Sequence, residues 1–295
     1  MTNNSGSRRV LVLLAVIAAY ICLIDRVAIS IAVIPMVETY GWTPSDQGLV
    51  MSAFFIGYLV LQVPAGWMSD RWGGKWVLGF GVVFWSLFTA LTPPSAALGL
   101  GVLVVCRFLM GVAESVTWPA IYNLFACWVP VQQRGAALGL LNSSIPAGTI
   151  IALIATPWLI GLGGWPWPFY MYGAVGLIWF AVWVPSVGNR KTAIDAEAMD
   201  NTATAATAAT AATAATAAAA RDVKVFSAAN LVGSKAVKAM VSAHFATNWV
   251  VFLALAWTPT YLSKAFDLPL ERVGLLSMIP FAVSAVATPL AGRLG

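Results

Sequence analysis

Four ionisable side chains stand inside stretches that are otherwise apolar: Asp25, Arg26, Arg107 and Glu114. A charge at the centre of a bilayer costs at least about 2.5–3.5 kcal/mol, so each needs a partner or a water-filled cavity. Their formal charges sum to zero, which permits mutual pairing. Arg107 and Glu114 are about two helical turns apart and share one face, with Gly111 between them. Asp25 and Arg26 are adjacent and can serve the same cavity. Two chemistries fit. One is a structural ion-pair cluster tying two helices together, although burying two pairs for stability alone compares poorly with apolar packing. The other is anion binding, because an arginine fork in a low-dielectric cavity holds a carboxylate or phosphate bidentately, as Arg26 and Arg107 are suited to do. A carboxylate beside such an arginine binds a proton with an affinity that depends on whether the arginine is engaged. Asp25 and Glu114 are placed for that exchange and are the expected cation-coupling pair.

A second set of polar groups is weaker. His244 and Asn248 lie one turn apart on one helix face, and Tyr58 and Asn142 are candidate cavity donors. A lone histidine in such a place more often makes a structural hydrogen bond, and most tyrosines in such helices simply pack. Asn142-Ser143-Ser144 has the form of a glycosylation sequon but falls inside an apolar stretch, so it is set aside. Cys22, Cys106 and Cys127 lie in or at the ends of apolar stretches without paired spacing, and read as small core hydrophobes. There is no convincing nucleophile–base pair and no metal-ligand cluster. Neither an enzyme nor a cofactor or metal is expected.

The elements that must position these groups follow from composition. The chain has 295 residues, 60% hydrophobic and 9% charged, against roughly 25% charged in a soluble domain. Uncharged runs such as 77–106 match the roughly 20 apolar residues a membrane helix needs. They are too long for the roughly 10-residue alternating strands of an outer-membrane barrel. The expected class is all-α and integral to a membrane, with helices near 9–36, 46–68, 76–93, 97–127, 135–161, 167–187, 238–263 and 271–292. The polar start, residues 1–9, runs into the first of these without a small-residue cleavage site, so it is read as part of that helix and not as a signal peptide.

With the N-terminus inside, Arg8, Arg9, Arg71, Lys75, Arg134, Arg190, Lys191, Arg221, Lys224, Lys235, Lys238 and Arg293 fall on the inner side. Only Lys264 and Arg272 fall outside, which is the positive-inside pattern with the N-terminus and the linker cytosolic. The net charge of +5 is accounted for by this sidedness, and no basic stretch with interleaved aromatics suggests nucleic acid.

Residues 201–220 are almost wholly Thr and Ala, too poor in large side chains to build a core. The expected organisation is a six-helix bundle over 1–188, a cytosolic linker over 189–237, and the start of a second bundle over 238–295. The two sides echo each other: Gly48-Leu49 is followed eighteen residues later by Gly66, and Gly274-Leu275 by Gly292 at the same distance. Pro64 and Pro289 precede the terminal glycines, and Pro35 is matched by Pro259. Duplicated halves of this kind mark transporter folds. Six helices on one side and two on the other imply part of a twelve-helix protein.

Several segments resemble the anion:cation symporter branch of the major facilitator superfamily, whose members include sialin, vesicular glutamate transporters and plastid phosphate transporters. Gly66-Trp-Met-Ser-Asp70-Arg71-Trp-Gly73-Gly74-Lys75 resembles the superfamily's loop between helices 2 and 3. Arg107-Phe-Leu-Met-Gly111-Val-Ala-Glu114 is similar to the branch's fourth helix, and the likeness continues through Trp118-Pro119 to Arg134. Asp25-Arg26 and the stretch from His244 to Tyr261 also fit. The resemblance implies alternating access, with Arg26 and Arg107 on a small anion and Asp25 and Glu114 coupling a proton or sodium. It implies that Asp70 braces a helix of the second half. Met110 stands where some animal members carry an acid, and bacterial and plastid-type members are also apolar there, which makes the animal mode of coupling at that position inapplicable. The wording of helices 4 and 7 is most similar to the plastid-type phosphate and anion transporters. Phosphate, a sugar acid, glutamate or sialate would each suit two arginines. The expected setting is a monomer in a lipid bilayer, whether plasma, plastid or other organellar. Two rival readings are another facilitator-type carrier of sugars or drugs, and a non-transporting membrane protein. Asn142-Ser-Ser-Ile-Pro146-Ala-Gly148 lacks the Gly-Pro-Gly character of drug exchangers.

Overall fold

The computed structural model describes residues 2–188 and 234–294. The Thr/Ala tract and the basic residues Arg190, Lys191, Arg221 and Lys224 lie outside these. The described elements are all helices: α1 (Thr2–Tyr40), α2 (Pro44–Trp72), α3 (Gly74–Leu98), α4 (Leu100–Glu114), α5 (Thr117–Trp128), α6 (Val131–Gly163), α7 (Trp167–Ser186), α8 (Lys235–Phe266), α9 (Leu270–Ser277) and α10 (Ile279–Leu294). Of the described residues, 2–187 and 255–294 belong to one compact unit, and 188 and 234–254 belong to a second.

Seven segments among the described residues are long and apolar enough to cross a membrane, with α4 and α5 counted together as Leu100–Trp128. The chain is a multi-pass integral membrane protein. Helices suit this solvent because each closes its own backbone hydrogen bonds. Large apolar side chains accordingly face outward, Leu59, Val63, Phe84 and Ile178 among them.

Two expected helices are broken, and proline chemistry explains both. The expected helix 97–127 divides at Ser115-Val116. Pro119 has no N–H for the Ser115 carbonyl, and the hydroxyls of Ser115 and Thr117 instead donate to the Val112 and Glu114 carbonyls at 2.8 and 2.7 Å. The expected helix 271–292 divides at Met278, where Pro280 cannot donate to the Leu276 carbonyl. Thr43 caps α2 through a reciprocal pair with Asp46, at 3.2 Å from the Asp46 N–H and 2.9 Å from the Thr43 N–H to the carboxylate.

Close packing rests on small residues, as expected where lipid removes the hydrophobic drive between helices. Gly57 of α2 lies against the Phe108 carbonyl of α4, and Gly111 of α4 lies against the Phe54 carbonyl of α2. A Cβ at either position would overlap backbone, so the two glycines set the α2–α4 spacing reciprocally. Gly148 of α6 meets Leu23 of α1, and Gly173 of α7 meets Ser86 of α3. Trp85, Phe54, Phe125 and Trp183 fill the main core. A smaller cluster of Met36, Val50, Leu103 and Phe169 closes the other end, with Tyr40 stacked on Trp42.

The glycine contact gives a direct expectation. Gly111→Ala should destabilise the protein by about 1–3 kcal/mol through overpacking, whereas Gly139→Ala, inside α6 with nothing within 4 Å of the new methyl, should leave stability unchanged or raise it by up to about 1 kcal/mol. Thermal unfolding of the two variants in one detergent checks this; equal behaviour would refute the close approach of α2 and α4.

Candidate functional site

The four intramembrane charges are buried in the bundle formed by α1, α2, α3 and α4: Asp25 is 0% exposed, Arg26 8%, Arg107 1% and Glu114 0%. They do not form two equivalent pairs. Arg26 Nε and Nη2 both donate to Glu114 Oε2, at 3.1 and 3.0 Å, which closes an ion pair between α1 and the last residue of α4. The guanidinium lies 4.6 Å from the Tyr58 ring centroid and 5.3 Å from that of Phe54, on α2. Its Nη2 also donates to Cys22 Sγ at 3.7 Å, one turn earlier on α1. Aromatic faces and a thiol are soft neighbours for a cation that has left water.

Arg107 has a different environment. Its Nη1 donates to Met110 Sδ at 3.1 Å, and its guanidinium lies 5.2 Å from the Phe54 centroid on the side of α4 that faces α2. Its Nε has no hydrogen-bond partner, and the same holds for both Asp25 oxygens and Glu114 Oε1. The Trp85 indole interacts with the Asp25 carboxyl but without hydrogen-bond geometry, so Trp85 Nε1 is unpartnered too. Among the described residues no carboxylate lies within 4.0 Å of Arg107. The cluster therefore holds one closed pair, one buried arginine with donor capacity left over and one buried carboxyl with acceptor capacity left over. Chemically, such a set has the donors to contact an anion at the arginine and the acceptors to take up a cation at the carboxyl.

The other candidates are distributed unevenly. Tyr58 joins the cluster, presenting its ring to Arg26. Asn142 is exposed on α6. His244 and Asn248 lie on α8 in the second compact unit, where the Asn248 amide donates to the His244 carbonyl at 2.8 Å and the His244 side chain is exposed. Cys22 and Cys106 are buried as expected, but Cys127 is exposed, because it falls near the end of α5 beyond the break in the fourth span.

The loop between α2 and α3 is built around Gly73, whose φ of 84° is open to glycine at little steric cost. Asp70 accepts a hydrogen bond from the Asn123 amide at 2.8 Å, and the Asn123 carbonyl oxygen accepts from the Gly74 N–H at 3.3 Å. A Cβ on Gly74 would sit 2.6 Å from the Ala120 carbonyl oxygen, so glycine lets α3 start tight against α5. Arg71 stacks on Trp67 at 5.4 Å, and Lys75 donates to the Val184 carbonyl at 3.1 Å. Arg134 donates to the Ala126 carbonyl in the last turn of α5 and to the Val129 carbonyl just past it, at 2.7 and 2.9 Å. Gly66 faces open space.

Residues 13–295 match the family model of the Major Facilitator Superfamily. The chain belongs to that superfamily. Among curated facilitators and their kin it is 39% identical over 285 residues to the chloroplastic sodium-dependent phosphate transport protein 1 of Arabidopsis thaliana, a match covering 97% of this chain and 54% of that protein. It is 37% identical to the chloroplastic probable anion transporter 4 of Oryza sativa subsp. japonica (97% and 47%) and 36% identical to the chloroplastic ascorbate transporter of Arabidopsis thaliana (97% and 51%). The chain spans about half the length of the curated relatives it matches. The facilitator fold is matched in solved structures by a D-xylose-proton symporter, with TM-score 0.71 at 16% identity over 96% of this chain and 67% of that one. A bacterial homologue of the human lysosomal transporter Spinster, inward-facing and occupied, gives TM-score 0.76 at 17% identity over 97% and 61%. At those identities the structural likeness speaks to fold alone.

Several residues of this facilitator make contacts that the sequence does not announce. Asn123 ties the loop together, Met110 holds Arg107, and Trp85 faces Asp25. Gln47 of α2 donates to Thr260 at 2.7 Å in a buried contact. For Asn123, Trp85 and Gln47 the signal is a polar amide or indole in an apolar run, which does not name a partner; Met110 carries no such signal.

The closed pair can be tested without a transport assay. Arg26→Ala and Glu114→Ala should each cost about 3–5 kcal/mol, because each leaves a buried charge uncompensated, and the double variant should cost less than the sum by about 1–3 kcal/mol. Additive losses in denaturant or thermal unfolding would show that the two residues do not interact.

Proposed function

We propose that the chain is part of a secondary carrier that moves a small anion, phosphate or carboxylate, across a membrane by alternating access, coupled to protons or sodium. The observation that carries this reading is the uneven state of the cluster: Arg107 buried with Nε unpartnered, beside a closed Arg26–Glu114 pair. A buried guanidinium without a carboxylate partner is costly unless a ligand supplies the charge, and its planar fork suits an oxyanion. The names of the chloroplastic phosphate, anion and ascorbate transporters support the same class.

In this reading Arg107 receives the anion first. The incoming charge competes with Glu114 for Arg26, and a carboxylate that loses its arginine becomes a better cation acceptor. Asp25 and Glu114 then carry the coupling ion. Tyr58 supports Arg26, while Asn142, His244 and Asn248 serve the substrate at other points of the cycle. Gly66, Asp70, Arg71, Gly73, Lys75 and Arg134 form the loop that sets the conformational equilibrium. We take residues 1–188 as one bundle, 189–237 as a cytosolic linker and 238–295 as helices of the second bundle, with the basic helix ends facing the cytosol. The carrier works as a monomer.

The test is uptake by the full-length protein in liposomes, comparing phosphate, ascorbate and glutamate under imposed proton and sodium gradients. One anion should accumulate along one gradient. Arg107→Ala should abolish that uptake, and normal uptake by the variant would remove Arg107 from the binding site. Glu114→Gln should impair gradient-driven accumulation more than anion exchange, and equal loss of both would assign Glu114 a structural role.

A further inference from the structure

At the basic end of the bundle, the start of α1 and the start of α6 enclose a groove of about 480 Å³. Arg8 and Arg9 line it together with Val12, Leu13, Ala137 and Leu140. Gln133 adds an uncharged amide, and no acidic side chain lines the groove. From Gln133 to Leu140 the helix rises about 10 Å, enough to run from the headgroup layer into the first part of the hydrocarbon. Leu13 and Leu140 are large apolar side chains left 54% and 43% exposed.

Three other cations at this end are occupied. Arg71 stacks on Trp67, Lys75 donates to the Val184 carbonyl, and Arg134 donates to the Ala126 and Val129 carbonyls. The positive charge of Arg8 and Arg9 instead borders a cleft whose apolar lining continues deeper into the membrane. A groove of equal volume among α2, α3 and α4, lined by Trp76, Phe80 and Phe84, has no cation in its lining, and the nearby Lys75 Nζ lies over the Trp76 ring at 5.1 Å. Of these two, the α1–α6 groove is the one with cations in its own lining, and its two arginines stand beside an apolar floor.

We propose that this groove is a binding site for an anionic phospholipid, with the phosphodiester of the headgroup between Arg8 and Arg9 and the proximal acyl chain along Leu13 and Leu140. Basic clefts between membrane helices at the cytoplasmic face have the electrostatics for such headgroups. The apolar floor selects a lipid over free phosphate, because a small hydrated anion gains nothing from Val12, Leu13 or Leu140. The site is separate from the buried cluster of Arg26, Arg107, Asp25 and Glu114, and stands whether or not the chain carries anions.

The experiment is native mass spectrometry of the full chain in non-ionic detergent, with phosphatidylglycerol and phosphatidylcholine of identical acyl chains added in competition. The protein should retain phosphatidylglycerol preferentially. Arg8→Gln and Arg9→Gln should each weaken retention roughly fivefold and the double variant about 25-fold, from the attraction of one cation each. The double Lys variant, which keeps both charges, should retain it. Leu140→Trp, which leaves the arginines in place and fills the apolar floor, should also lose the lipid, so the proposal does not depend on the folding of the Gln variants. Unchanged retention by the double Gln variant or by Leu140→Trp would overturn it. So would equal retention of the two lipids, or displacement of phosphatidylglycerol by millimolar inorganic phosphate, which would make the groove a simple anion site.

Discussion

A charge inside a bilayer must find its counter-charge within the protein, and the Arg26–Glu114 pair is where this chain meets that constraint. The pair joins α1 to the end of α4, and the elements around it are arranged to keep it dry and oriented. Phe54 and Tyr58 of α2 cover the guanidinium. They can do so only because Gly57 and Gly111 let α2 and α4 approach to backbone contact. The reciprocal glycines therefore serve the electrostatics as well as the packing. They bring an aromatic wall against two arginines that no water-filled loop could hold at the same depth.

The same wall divides the labour between the arginines. Phe54 contacts both Arg26 and Arg107, its ring centroid 5.3 and 5.2 Å from the two guanidinium carbons. One arginine is neutralised by Glu114; the other leans on a thioether and an aromatic face. Met110 thus does more than leave an acid out of α4. Its sulfur is a weak acceptor that steadies Arg107 without neutralising it, which an acid at that position would do.

Much of this architecture was legible in the residues. Apolar run length marked the membrane class and the approximate spans, because bilayer thickness imposes one length on every crossing helix. Buried charges announced themselves by being out of place. Partner choice was not legible: spacing put Arg107 and Glu114 on one face, whereas the ion pair forms between Arg26 and Glu114 across 88 residues of chain. Helical periodicity ranks neighbours along one helix and says nothing about distances between helices. The breaks at Ser115-Val116 and Met278 were hidden for a related reason. Pro119 and Pro280 were visible, but a proline in a membrane helix can be absorbed, kinked or made a terminus according to which hydroxyls and neighbours take up the freed carbonyl.

Asn123 is a single amide with two ends, and both are engaged: nitrogen toward Asp70, oxygen toward the Gly74 N–H. Three helices, α2, α3 and α5, meet through those two atoms. The junction is therefore polar in the sense of a keyed plug, which fits in one orientation only. A residue of the same shape with oxygen at both ends would keep the bond to α3 and turn the bond to α2 into a repulsion. The position thus distinguishes asparagine from aspartate by chemistry alone, with no difference in size to help.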